Sequence, residues 1–329
     1  MPGPNAATAE PVWSLFSPDT SDTTTVILGS GIIGLSTAYC LSGTGNTDPA
    51  LGRLSYKLHA QLAQAHNGRT SWGYAHSTGI SLSQDSEEDA VGGSGEDWLE
   101  SGTSKAQLAS YTRPWEEEDL DAEWLPCRKD ATMAVISRYG TTAQIGPLRF
   151  WRLLLARCKE RGIQVRFPAR ALSVSRDASG VLNGIRISQD GMETELPFTR
   201  LAITSSAWSP RVFTTLFPAA TTRIPISALG AHSLLVRNPH FKPDRGDEEF
   251  FARTGGEFTT TRLPDVATEA ITIEKAIDQL KACAKIMMMG VLGKDFEVLR
   301  EGLCFRPVTS SGCPIVSKIP DEKLGRVTT

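Results

Sequence analysis

The distribution of hydrophobic and polar residues predicts a strand, a turn and a helix near the start of the chain. The β-branched run Thr23–Leu28 predicts a buried strand that stops at Gly29. Small and apolar residues over Leu35–Leu41 predict a helix packed on a sheet. Between them lies a turn that contains three glycines, Gly29-Ser30-Gly31-Ile32-Ile33-Gly34.

The rest of the chain mixes helices with short strands. Apolar residues at three- and four-residue spacing predict a helix that begins at Leu51 and stops before Asn67-Gly68. Further helices are predicted over Leu148–Arg161, with Pro147 in the first turn, and over Glu274–Met289. Alternating or β-branched runs predict strands over Ile163–Phe167, Ala171–Arg176, Val181–Ser188, Thr199–Thr204, Ile224–Arg237 and, as two strands joined by a turn, Leu303–Val316. Interleaved helices and strands predict an α/β or α+β fold.

Composition and charge exclude several classes of protein. The chain has 329 residues, of which 40% are hydrophobic and 22% charged, enough to build a hydrophobic core. Its net charge is −3, and no basic stripe with interleaved aromatic residues appears, so a nucleic-acid role has no support. Thirteen acids are concentrated in two runs without a base, Asp85–Glu100 and Glu116–Glu123, where we expect a solvated loop.

The cysteines and the N-terminus bear on the compartment. The six cysteines are scattered without CxxC pairs, which favours a reducing compartment, and no His/Cys spacing matches a metal site. Residues 1–22 have no Lys or Arg and no apolar core of signal-peptide length, so we expect a flexible N-terminus. No run approaches roughly 18 consecutive apolar residues, the length of a membrane span. We therefore expect a cytoplasmic protein without a transmembrane span.

The glycine turn has the spacing of a dinucleotide-binding loop. Gly29 permits the tight turn, Gly31 lets the backbone approach a pyrophosphate, and Gly34 lets the helix pack closely on the strand. The helix N-terminus adds unpaired N–H groups for the phosphates. A complete motif also needs an Asp or Glu for the ribose about twenty residues on. Asp48 is the acid nearest that position, and we interpret it as a turn residue before proline.

Three separated stretches resemble the FAD-dependent oxidoreductases of the D-amino-acid oxidase and glycine oxidase type. The first is Val26–Gly34. The second is Gly162–Asp177 followed by Leu201–Pro210, which is similar to the family's strand pair and its "A-G-A-W-S" turn. The third is Phe305–Val316, which is similar to the family's "R-P-x-x-x-D-G-x-P-x-I-G" segment. The whole pattern most resembles the fungal branch that includes oxidoreductases linked to endosomal trafficking.

The resemblance implies an FAD-binding Rossmann-like βαβ domain assembled from discontinuous segments, and a substrate domain with a mixed or antiparallel sheet. We assign residues 1–22 to a flexible N-terminus, and residues 23–82, 140–210 and 300–329 to an incomplete FAD-binding domain. Residues 83–139 and 211–299 are assigned to the substrate domain with its acidic loop. In such a family a hydride passes from the carbon beside an amine to the flavin, and oxygen usually reoxidises the cofactor. The expected substrate is a small amine or amino acid.

Site residues are carried over from the resemblance one by one. The pyrophosphate would be bound by Gly29, Ser30, Gly31, Ile32, Ile33 and Gly34. Ala171 falls where the family holds the adenine through a backbone amide, and Arg306 falls where related oxidases place the arginine that binds the substrate carboxylate. A guanidinium fork matches a carboxylate in two parallel hydrogen bonds. His232 is expected to be structural.

The sequence departs from the family in two places, which leaves alternatives open. Between Leu41 and Leu51 it lacks the second Rossmann strand, its acid and a Ser/Gly-rich loop; after Gly325 it lacks the segment that contacts the flavin. One alternative is a non-catalytic or impaired member of the fold that acts with endosomal sorting proteins, peripheral to endosomes. A nicotinamide-dependent dehydrogenase is disfavoured by the missing acid and by the second and third family stretches.

Overall fold

The computed structural model describes residues 24–29, 51–84, 131–237, 251–259, 262–289, 296–310 and 315–325. The chain divides into two compact units. Unit 1 is Met1–His76, Ala143–Ile224 and Ser317–Thr329, and unit 2 is Ser77–Thr142 and Pro225–Val316. These units differ from the domain division expected from the sequence, because 211–224 belongs to unit 1, whereas 77–82, 140–142 and 300–316 belong to unit 2. The mixture of helices and strands confirms the α/β fold class.

Three helices of unit 1 share a core of their own. They are α1 (Leu51–Ala65), α2 (Gly68–Trp72) and α3 (Pro147–Glu160). The apolar periodicity of the sequence predicted α1 and α3 but not α2. Asn67 adopts the left-handed conformation at the junction of α1 and α2, where the Asn-Gly pair predicted a stop. The core comprises Leu62, Ala63, Trp72, Tyr74, Phe150, Leu154 and Cys158.

Two partly buried histidines, the first of them His59 on α1, make the free energy of unfolding depend on pH. The ring of His59 packs on Phe150 at 5.3 Å, and burial lowers its pKa below 6.5. Burial, with Arg157 and Arg161, lowers the pKa of His66 as well. The folded protein therefore takes up protons less readily than the unfolded chain, so stability is full above pH 6.5 and falls as the pH drops below it.

We expect the free energy of unfolding to be lower at pH 5.5 than at pH 7.5, and we expect protonation of these two rings to contribute to the difference. Urea titrations at both pH values should show a smaller loss for His59→Phe/His66→Asn than for the parent protein, because the variant removes both titrating groups. Phenylalanine keeps the contact with Phe150. An equal loss in parent and variant would assign the pH dependence to other groups.

The strands of unit 1 form two small sheets over a second core. Strand β1 (Thr25–Leu28) pairs in parallel with β7 (Arg200–Ile203). Strands β4 (Arg170–Arg176), β5 (Leu182–Gln189) and β6 (Met192–Pro197) form an antiparallel meander. Helix α4 (Ser209–Leu216) packs on β4 and β7. The core comprises Val174, Ile185, Ile187, Phe198, Phe213, Leu216, Phe217, Ala220 and Leu324.

One predicted strand is wrong. Residues Ile163–Phe167 alternate apolar and polar side chains, yet they form no strand in the structure. A strand is stabilised by the hydrogen bonds of a neighbour, and no strand pairs with this stretch among the described residues. Alternation alone was therefore insufficient to form a strand here.

Unit 2 contains an antiparallel sheet covered by one helix. Strand β8 (Ser227–Arg237) lies between β9 (Phe251–Thr259) and β10 (Val298–Val308). Helix α5 (Glu274–Met289) packs on β8 and β9. Leu234, Val236, Ile277 and Leu280 form the core between sheet and helix. A further pair, β2 (Ala75–Gln84) with β3 (Ala131–Gln144), was not predicted from the sequence.

Within Leu303–Val316, the structure confirms the first predicted strand as part of β10. Residues 311–314 lie outside the described residues, and Ile315 and Val316 are not in a strand. The acidic runs also lie outside the described residues. In the part of the chain that the structure describes, no helix is long and apolar enough to span a membrane.

Candidate functional site

The carbonyl of Leu28 marks the point where β1 ends and the glycine turn begins. It accepts hydrogen bonds from the backbone N–H of Thr204 at 2.8 Å, from Thr204 Oγ1 at 3.1 Å and from Ser205 Oγ at 2.9 Å. All three donors follow β7, the parallel partner of β1. The two strand ends are therefore fixed to each other by two hydroxyl side chains as well as by the ladder.

Gly29 occupies a position that only glycine fits. Its φ is +128°, a conformation that residues with a side chain rarely adopt. A Cβ at this position would lie 2.6 Å from the carbonyl oxygen of Thr204, closer than such contacts occur. The first glycine of the predicted loop is thus required by the backbone geometry. Ser30, Gly31, Ile32, Ile33 and Gly34 lie outside the described residues, and their pyrophosphate contacts stay predictions.

Thr204 and Ser205 border the candidate site through their hydrogen bonds to Leu28, although the sequence alone did not predict them. They lie within Leu201–Pro210, the stretch that resembles the family's strand pair and turn, but the resemblance gives their hydroxyl groups no role. The available signal was a pair of short hydroxyl residues directly after a buried strand. Such residues readily bond neighbouring backbone groups.

Ser206 follows them in a strained conformation. Its φ is +52°, in the left-handed region, and it begins a short 3-10 turn, Ser206–Trp208. The equivalent position of the family's A-G-A-W-S turn is glycine, for which this conformation has no steric cost.

Replacing Ser206 by glycine should therefore stabilise unit 1. The left-handed conformation costs a residue with a side chain about 1–2 kcal/mol, whereas the added freedom of glycine in the unfolded chain costs about 0.5–1 kcal/mol. We expect a net gain of roughly 0.5 kcal/mol in urea unfolding. Ser188→Gly, on the regular strand β5, is the matched control and should destabilise the protein. A loss in both variants would contradict the assignment of strain to Ser206.

Ala171 lies near the start of β4, opposite Ile187 of β5, and packs on the second core of unit 1. Among the described residues β4 pairs with β5 alone, so its other edge has N–H and C=O groups that point away from the ladder. An edge of this kind can hold a ligand through a backbone amide. The adenine contact of Ala171 stays a prediction.

Arg306 lies on β10 of unit 2, on the sheet face opposite helix α5. It is paired with Leu229 of β8, and its side chain is exposed. Glu301 points to the face that α5 covers, because its carboxylate lies 2.8 Å from the ammonium group of Lys281 on α5. Alternate residues of a strand point to opposite faces, so Gly302, Cys304 and Arg306 share the face away from the helix. A carboxylate-binding role needs an accessible guanidinium, and the exposed position meets that condition.

His232 lies on the helix side of the same sheet. It is 1% exposed, and its Nε2 accepts a hydrogen bond from the backbone N–H of Ile273 at 3.0 Å, just before α5 begins. This bond holds the start of the helix against β8. The contact agrees with the structural role expected for His232. Arg306 and His232 thus point to opposite faces, while Gly29 and Ala171 belong to unit 1.

No cluster of three or more His, Cys, Asp or Glu side chains suited to a metal ion occurs in the described ranges. The parallel strand pair, the glycine at its end and the helix-covered antiparallel sheet are features of a mixed α/β protein. The family model of the FAD dependent oxidoreductases (DAO) matches residues 24–327. The chain therefore belongs to this family, and FAD is the family's cofactor, as predicted.

Solved structures show the same fold. Glycine oxidase from Geobacillus kaustophilus is 16% identical, with a TM-score of 0.56 over 91% of this chain and 86% of that chain. Iminodiacetate oxidase from Chelativorans sp. BNC1 is 17% identical, with a TM-score of 0.60 over 91% and 87%. L-proline dehydrogenase from P. horikoshii is 12% identical, with a TM-score of 0.60 over 92% and 86%. No curated protein matches the chain in sequence.

The described residues fit a flavin dinucleotide at the end of β1. Thr204 approaches Gly29 so closely that a Cβ would fill the space, and glycine in this place is what the tight turn at the start of a dinucleotide-binding loop requires. Three hydrogen bonds to the carbonyl of Leu28 fix the end of β1 against the residues that follow β7. Among the described residues, Gly29 is the one that meets the requirements of the predicted loop.

Proposed function

We propose that this protein oxidises a small amine or amino acid with FAD as hydride acceptor and oxygen as final acceptor. The observation that supports the proposal most is the end of β1, where Gly29 has a conformation and a neighbour that exclude any side chain. Bound FAD would take the hydride from the carbon that bears nitrogen. Because hydride transfer depends on positioning, the protein needs no acid–base pair for this step.

In this proposal unit 1 binds the cofactor and unit 2 binds the substrate. The turn that starts at Gly29 would hold the pyrophosphate, and Ala171 would hold the adenine through its backbone. Arg306 would bind the substrate carboxylate with two parallel hydrogen bonds. Its exposed position on β10, on the face that α5 leaves uncovered, supports this role. An amino acid is therefore favoured over a simple amine.

The cytoplasm is the proposed compartment. No disulfide joins the described cysteines Cys158, Cys283 and Cys304. Cysteines outside disulfides in a chain of this size fit a reducing compartment.

The second candidate is a non-catalytic protein of the same fold that acts with endosomal sorting proteins. The sequence between Leu41 and Leu51 favours it, because that stretch has no strand pattern and no acid in the place of the ribose ligand. A member without the ribose contact would bind FAD weakly or not at all.

One assay separates the two candidates. The purified protein is incubated with FAD and tested with a panel of amino acids and amines while oxygen uptake and peroxide are measured. Peroxide formation that depends on one substrate class supports the oxidase. Absence of turnover with every substrate, whether or not flavin is bound, supports the second candidate and would overturn the first. Heat-denatured protein with the same FAD is the control for free flavin chemistry.

A further inference from the structure

Helix α3 presents a basic face to solvent. Its buried residues Phe150, Leu154 and Cys158 recur every four positions and pack into the first core of unit 1. The opposite side of the helix presents three exposed bases, Arg149, Arg152 and Lys159. Leu148, in the first turn, is 49% exposed and lies at the edge of this face.

The chain remains basic after the helix. We call Pro147–Arg170 the basic segment; it contains seven basic residues and one acid, in a chain whose net charge is −3. Past the end of α3, Arg166 and Arg170 are exposed. Phe167 lies between them in sequence, and 61% of this large apolar residue is exposed. Exposed bases are thus interspersed with exposed apolar side chains.

Most of these charges are not neutralised within the described part of unit 1. The one acid, Glu160, pairs with Arg157 at 2.7 Å. Arg149 donates to the carbonyl oxygen of Thr70. For Arg152, Lys159, Arg166 and Arg170, no ion pair with a described residue is found. The basic segment therefore keeps a surplus of positive charge at the surface.

We infer that the basic segment is a docking surface for anionic phospholipid membranes. Scattered exposed bases match the spread-out negative charge of lipid headgroups, and each contributes by proximity without needing a fixed partner. Exposed Phe167 and Leu148 supply the apolar groups that enter the boundary between headgroups and acyl chains. A nucleic acid would also attract the bases, but Leu148 would have no partner there. The inference rests on the surface of unit 1 and is independent of the oxidase proposal.

The test is co-sedimentation of the full chain with lipid vesicles at low and at high salt. Phosphatidylcholine vesicles are compared with vesicles in which part of that lipid is replaced by phosphatidylserine. We expect binding to the phosphatidylserine vesicles alone, weakened by salt. Each base near an anionic membrane contributes roughly five- to sixfold in affinity, so Arg152→Ala/Lys159→Ala, which removes two bases, should bind roughly thirtyfold more weakly. Phe167→Ser should bind about tenfold more weakly.

Arg200→Ala/Arg223→Ala is the matched control, because it removes two exposed arginines from unit 1 outside the basic segment. It should bind like the parent protein, and thermal melting verifies that each variant is folded. Three results of the vesicle experiments would overturn the inference: no binding to phosphatidylserine vesicles, equal weakening by both double variants, or unchanged binding of Phe167→Ser. Binding to a DNA duplex more tightly than to the vesicles would assign the surface to nucleic acid and also overturn it.

Discussion

Gly29→Ala is expected to abolish FAD binding. It should also lower the free energy of unfolding by roughly 2–4 kcal/mol, because the backbone would be strained and a contact displaced. The new Cβ would lie 2.6 Å from Thr204 O, and that oxygen belongs to a segment held by hydrogen bonds to Leu28. Relief would require β1 and β7 to separate. Gly29, the first residue of the predicted pyrophosphate loop, would then be displaced.

Gly180→Ala is a close control for this variant. Gly180 also has a positive φ, +87°, but a Cβ there would meet nothing within 4 Å. Its replacement should cost about 1 kcal/mol, from backbone strain alone, and should leave FAD binding intact. Urea unfolding measures the stability of both variants, and quenching of flavin fluorescence measures binding. Equal behaviour of the two variants would contradict the special role of Gly29.

Arg306→Lys is expected to raise KM for a carboxylate substrate by more than about tenfold, with a smaller change in kcat. Lysine keeps the positive charge but offers a point charge in place of the planar fork, so one of two parallel hydrogen bonds is lost. Steady-state oxygen uptake with the best amino acid from the panel gives both constants. The split between KM and kcat distinguishes a binding role from a general loss of structure.

Arg300→Lys is the matched control for Arg306. Both arginines are exposed on β10, and both receive the same substitution. The control should leave KM unchanged. A substrate amine without a carboxylate should also show little difference between the parent protein and Arg306→Lys, because it cannot use the fork. An unchanged KM for the carboxylate substrate in Arg306→Lys would assign Arg306 to the structure of the sheet.

Much of unit 1 could be predicted from local pattern. The β-branched run that ends at Gly29 is strand β1, and the apolar spacing over Leu51–Ala65 is helix α1. These elements bury one face or both, so periodicity reports their environment directly. The partner of β1 could not be found this way, because β7 lies about 175 residues further on and pairing is set by the whole fold.

Elements that depend on distant partners escaped prediction. Ile163–Phe167 has the alternation of a strand but no pairing strand among the described residues. Conversely, β2 and β3 pair with each other, although some fifty residues separate them. The local sequence determines how readily the backbone is extended, whereas the hydrogen bonds of a sheet also need a second strand at the right distance.

The candidate site was predicted only in part. Gly29 was chosen for its spacing, and the structure adds a reason in its φ and its contact with Thr204. The hydroxyls of Thr204 and Ser205 were missed, because a side chain that bonds a backbone carbonyl across two strands leaves no periodic signal. The exposure of Arg306 follows from the register of β10 on β8, which no local pattern specifies.

The most direct test of the central claim, that this chain binds FAD, is the melting temperature of the purified protein with and without the cofactor. A ligand that binds the native state must stabilise it, and FAD at a hundredfold excess over Kd contributes about 2.7 kcal/mol. For a chain of this size we expect a rise of about 4 °C, together with flavin absorbance that remains after gel filtration. An unchanged melting temperature and a colourless protein would contradict FAD binding and, with it, the proposed oxidase.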